Sequence, residues 1–76
     1  MPEIDDFMAG VESEAAYQTE HWGSEHDDAK EPQDWFWLIG YLAGKALRAQ
    51  LDDDTAKAKH HTISAAAALK QWHSRL

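Results

Sequence analysis

The stretch Trp35 to Leu51, WFWLIGYLAGKALRAQL, constrains this chain more than any other, because its first ten residues, Trp35 to Gly44, carry no charge. A segment apolar around its whole circumference is expected to be buried on most sides. It is too short to cross a bilayer, which needs about 20 apolar residues, and Lys45 and Arg48 follow within the same segment. The stretch therefore reads as the central helix of a small helical domain without a membrane span. At 3.6 residues per turn, Trp35, Leu38, Leu42, Ala46 and Ala49 form one stripe, and Phe36, Gly40, Ala43 and Leu47 form a second. Two stripes require two partners. Gly40 and Gly44 each cost a helix about 1 kcal/mol relative to alanine. Their expected use is to let another backbone approach closely, which makes them candidate interface positions.

At 76 residues the chain makes one domain, residues 1–76, near the size at which a single core is only marginally sufficient. Four Trp, two Phe and two Tyr help, because aromatic side chains bury large areas. The small residues Gly40, Ala43 and Ala65 to Ala68 suggest that helices of a second copy complete the core, so a homodimer is expected. The absence of cysteine excludes a disulfide framework and a thiolate zinc site. The acidic start MPEIDDF has no signal-peptide character, and a cytoplasmic location is the expectation. Fourteen acidic residues against seven basic ones give a net charge of −7. Such a surface repels nucleic-acid phosphates, so direct DNA or RNA binding is not expected, whereas a basic protein partner is compatible with it.

Ile4, Phe7, Met8, Val11 and Ala15 recur at helical spacing, and Glu3, Asp5 and Asp6 complement a helix N-terminus. They predict a first helix over about 3–20. Residues 21–31 are polar, contain Gly23 and one aromatic, Trp22, and read as a connecting loop. Pro32 suits the first turn of the second helix, over 32–51, and Asp34 is well placed in that turn. Asp52, Asp53 and Asp54 can cap a third helix over 53–75, with Asp53 and Lys57 in a favourable i, i+4 pair. The inward stripe expected for that helix is Ala58, His61, Ala65, Leu69, Trp72 and Leu76, flanked by Ile63 and Ala66. The short 52–55 turn makes the second and third helices an antiparallel hairpin. The fold class is thus all-α, a three-helix domain.

Residues able to carry chemistry concentrate in Glu25-His26-Asp27-Asp28, with Glu31 and Asp34 following. Carboxylates beside an imidazole can hold Mg²⁺ or Mn²⁺, but they can equally form a solvated acidic turn or an interaction surface. His60 and His61, adjacent on one helix, point about 100° apart and cannot share a metal in the usual way. His61 falls on the apolar stripe and reads as a core or interface residue. Lys45 could reach a carboxylate of the 25–28 loop or a phosphate, against the alternative of extending its charge to solvent. No nucleophile–base signature, phosphate loop or zinc-finger spacing occurs.

The pattern Trp22-x-x-Glu25-His26-Asp27-Asp28, an apolar helix, and then Ile63-x-x-Ala66-Ala67-Ala68-Leu69 resembles small phage and prophage proteins related to the MazG-like all-α nucleotide pyrophosphohydrolases. The resemblance covers about residues 22–72. It implies hydrolysis of nucleoside triphosphates to monophosphate and pyrophosphate, with Mg²⁺ or Mn²⁺, at sites formed between subunits. Glu25, Asp27 and Asp28 match the acidic loop motif of that family. The family's paired-glutamate helix, E-x-x-E, is absent, and Glu31-Pro-Gln-Asp34 keeps an E-x-x-D spacing. Two functions follow as expectations. The first is a non-catalytic acidic interaction module without a cofactor, of phage or prophage type, that binds and inhibits a host protein. The second is a reduced metal-dependent pyrophosphohydrolase.

Overall fold

The computed structural model describes residues 2–76, the side chains of Ser24 and His26 excepted. The described residues form α1 (Pro2–Trp22), α2 (Ser24–Asp28), α3 (Pro32–Leu51) and α4 (Thr55–Ser74), with no strand. The three long helices make the all-α domain expected, and the short α2 interrupts the stretch expected as a loop. Among the described residues no helix is long and apolar enough to cross a membrane.

Local chemistry sets the helix ends. Pro32 opens α3, where the Glu31 backbone N–H donates to Asp34 Oδ2 at 2.9 Å. At the other end the chain turns through Asp53, whose φ of 60° is left-handed, a conformation that Asp tolerates better than most residues. The N–H groups of Asp52, Asp53 and Asp54 then donate to the carbonyls of Arg48, Gln50 and Ala49. Asp54 caps α4 by accepting from the Lys57 N–H at 3.1 Å. The side chain bonded at this end is therefore that of Asp54, while Asp53 supplies the turn.

The helix in the middle is α4, with α3 packed against one side of it and α1 against another. This changes which residues face inward. Ser64, Ala67 and Ala68 are buried, whereas Leu69 and Leu76, expected on the inward stripe, are exposed. The buried arc is rotated by roughly 100° from the expected stripe. The reason is that α4 must face two neighbours. Toward α1, a Cβ at Gly10 would lie 2.9 Å from Ile63 Cδ1, so the glycine permits the close approach. Gln71 Nε2 also donates to the Ala15 carbonyl at 3.3 Å and to Thr19 Oγ1 at 3.1 Å. Toward α3, Trp72 stacks on Trp35 with ring centroids 6.5 Å apart and planes 2° from parallel.

The first stripe of α3 is the inward one. Trp35, Ala46 and Ala49 are buried, with Leu38 and Leu42 half-buried beside them. All four residues of the second stripe, Phe36, Gly40, Ala43 and Leu47, are exposed. Phe36, Trp37, Tyr41, Leu47 and Leu51 are between 58% and 70% exposed, and nothing lies within 4 Å of a Cβ built on Gly40 or Gly44. The expectation that this helix is covered on most sides is thus not met by one chain: α4 covers one face, and α1 packs on α4. On α1 itself only Val11 and Ala15 of the expected stripe are buried, while Ile4, Phe7 and Met8 extend into solvent.

Candidate functional site

Two places combine unusual chemistry with defined geometry. The first is the acidic segment 25–28, which folds as α2 and docks against the C-terminal end of α4. Asp27 is only 8% exposed. Its Oδ1 accepts from Lys30 Nζ at 2.6 Å, and its Oδ2 lies 3.8 Å from an Arg75 guanidinium nitrogen. Arg75 Nε donates to Asp28 Oδ1 at 2.9 Å. The two cations also lie over the buried Trp35 ring, Lys30 Nζ at 4.7 Å and Arg75 at 5.9 Å from its centroid. An ammonium or guanidinium over an indole face is itself attracted to the ring. The result is a clasp in which Asp27, Asp28, Lys30 and Arg75 neutralise one another on a floor of Trp35 and Trp72.

This geometry assigns the motif a structural task. For Asp27 and Asp28 to hold a divalent cation, each would have to give up a lysine or arginine partner already in place. Glu25 is exposed, and the side chain of His26 lies outside the described residues. Asp34 accepts the helix-capping bond at the start of α3, and Glu31 donates it, so the E-x-x-D spacing belongs to a capping arrangement. Among the described residues no group of three or more His, Asp or Glu side chains could hold a metal ion. Lys45 is directed away from the clasp, with Nζ over the Tyr41 ring at 4.8 Å. Ten residues of helix, about 15 Å, separate its position from that of Trp35.

Lys30, Trp72 and Arg75 are the partners that the sequence did not single out for this site. Lys30 stands three residues after Asp27, a spacing that signals a pair only where the segment is helical. Arg75 is 47 residues from Asp28, and no local pattern announces that contact.

His61, half-buried on α4, sits beside Lys45, His60 and Lys57. Partial burial, and then these positive neighbours, hold its imidazole below the usual histidine range, with Asp54 acting in the opposite direction. The folded state thus disfavours protonation of His61, while the unfolded chain protonates it in the ordinary way near pH 6.5. Because the unfolded state binds more protons in that window, stability falls as pH drops through and below about 6.5. We expect the melting temperature to decrease between about pH 7.5 and about pH 5.5, and the decrease to be smaller in His61→Asn. Equal decreases in the two proteins would show that His61 does not contribute.

The second place is the outer face of α3. Around the helix, Ala43, Phe36, Leu47, Gly40, Leu51, Gly44 and Trp37 follow one another without a charge. Phe36 and Trp37 meet edge to face at 5.3 Å, which holds two large rings on the surface side by side. Continuous with this arc a groove of about 400 Å³ runs between α3 and α4, walled by Ala43, Ala46, Leu47, Ala58, Ala65, Ala66 and Leu69, with Gln50 and Thr62 as its polar members. An aromatic ridge adjoining a largely apolar groove can bury apolar area. Comparison of the chain with protein-family models, with curated proteins and with solved structures gave no match.

Proposed function

We propose that the chain is a small acidic protein-interaction module that binds another polypeptide through the outer face of α3. What supports this reading is the uncharged arc from Ala43 to Trp37, with four large apolar side chains, Phe36, Leu47, Leu51 and Trp37, at least 58% exposed. Monomeric proteins rarely expose contiguous apolar patches beyond a few hundred Å². Trp and Tyr are also the residue types that most often carry binding energy at interfaces. The net charge of −7 makes a nucleic-acid backbone an unsuitable occupant. The ion pairs of Asp27 and Asp28 favour this reading over metal-dependent hydrolysis, since those carboxylates already have cationic partners.

The test is photo-crosslinking in cells from a light-reactive residue at position 37, compared with one at position 12 on the exposed side of α1. Position 37 should give an adduct with one defined polypeptide, and position 12 should not. Absence of an adduct at position 37 would remove the reading. So would a rise in melting temperature with Mg²⁺ or Mn²⁺ accompanied by pyrophosphate release from a deoxynucleoside triphosphate, which would establish the hydrolase instead.

A further inference from the structure

We infer that the occupant of the α3 face is a second copy of this chain, seated about a two-fold axis that passes beside Gly40 and Gly44. The inference rests on the interaction reading above and specifies its partner. Its first support is area. A folded monomer of 8.6 kDa is expected to expose about 4,700 Å², whereas this one exposes 5647 Å². The excess over the whole surface, about 950 Å², is of the size of the roughly 800 Å² that each partner contributes to a standard interface.

The second support is the state of the core. Among the described residues, the buried hydrophobic set is Val11, Trp35 and five alanines, Ala15, Ala46, Ala49, Ala67 and Ala68. No large side chain among the described residues is completely buried. Chains of this size need a staple, and oligomerisation is one that serves where cysteine is absent. A partner required for the fold itself must be present wherever the chain is made, and a second copy meets that condition.

The third support is self-complementarity. An isologous contact needs both halves of the interaction on one surface. Here the aromatic ridge of Phe36 and Trp37 shares one surface with the groove of α3 and α4, of which Leu47 is itself a wall. A two-fold axis between them lets the ridge of each copy enter the groove of the other. Gly40 and Gly44, four residues apart and open to solvent, let the two α3 backbones cross closely. That contact gives a use to two mid-helix glycines that nothing inside the monomer explains. The arc is uncharged, so the −7 charges of two copies are not brought together at the contact centre.

Sedimentation of the full chain from about 1 to about 100 µM, with melting curves over the same range, tests the inference. The expected species has twice 8.6 kDa, about 17 kDa, and a melting temperature that rises with concentration. The double variant Trp37→Gln/Leu47→Gln alters side chains already exposed in one chain. It should raise the dissociation constant at least about a hundredfold, with circular dichroism checking its helicity. Gly40→Leu should do the same by blocking the crossing. A species of 8.6 kDa at every concentration overturns the inference, and so does a dimer that both variants leave unchanged. In the first case, the position-37 crosslink separates the two failures. An adduct with a different protein retains the interaction reading while ending the self-association one, and no adduct ends both.

Discussion

Replacing Trp35 with alanine is expected to leave the chain without a cooperative melting transition at room temperature. Trp35 is the largest buried side chain, 3% exposed, and it holds three elements at once. It anchors the first turn of α3, stacks on Trp72 of α4, and lies beneath Lys30 and Arg75 of the clasp. Truncating a buried Trp costs about 3–5 kcal/mol through lost transfer energy and the cavity left behind. A single core in a chain of this length supplies about the same amount. Trp35→Phe, which keeps a ring in the site, should retain a transition at lower temperature. The measurement is thermal unfolding followed by far-ultraviolet circular dichroism. A Trp35→Ala variant melting within a few degrees of the parent would show that the α3/α4 packing does not depend on this ring.

The second large effect is expected at Asp27, and it runs opposite to what an acidic surface loop would give. In such a loop, neutralising carboxylates leaves the free protein as stable or slightly more stable. Here Asp27→Asn removes the charge facing Lys30 at 2.6 Å and Arg75 at 3.8 Å in a half-dry setting. Leaving a partly buried cation without its carboxylate should cost about 1–3 kcal/mol. Asp28→Asn, at an exposed carboxylate, should cost no more than about 0.5 kcal/mol. Denaturant unfolding of Asp27→Asn, Lys30→Met and the double variant measures the coupling. Additivity of the two single changes would mean that the 2.6 Å contact contributes nothing to stability.

The helices were legible because their signals are local. Pro32 and Asp34 mark the start of α3, Asp54 marks that of α4, and the Val11/Ala15 spacing marks α1. The five residues of α2 were not legible. Ser24 to Asp28 contains no apolar residue, so periodicity has nothing to register, and the segment is held by a cation 47 residues away. The buried arc of α4 was misplaced for a related reason. In a run such as Ala65 to Ala68 every face is small enough to be inside, and the neighbours decide which one is. Sequence pattern likewise finds two apolar stripes on α3 but cannot say whether the second is covered by the same chain. In the clasp, residue type suggested cation binding, while the atoms that decide the matter belong to Lys30 and Arg75.

The central position of α4 also orders events in time. During synthesis α1 emerges before α2 and α3, yet the helix it packs against, α4, follows all three. Until Ser64, Ala67 and Gln71 have left the ribosome, the Val11/Ala15 side of α1 has no surface on which to dock. The α3/α4 hairpin closes over a short turn and can form without waiting, whereas attachment of α1 must close a loop of about 50 residues. We expect that attachment to come last in folding and its reversal to be the easiest opening of the folded molecule. Detachment of α1 removes the cover from Ile63 while leaving the Trp35–Trp72 stack in place, so the chain can release one of its three long helices and keep its aromatic anchor.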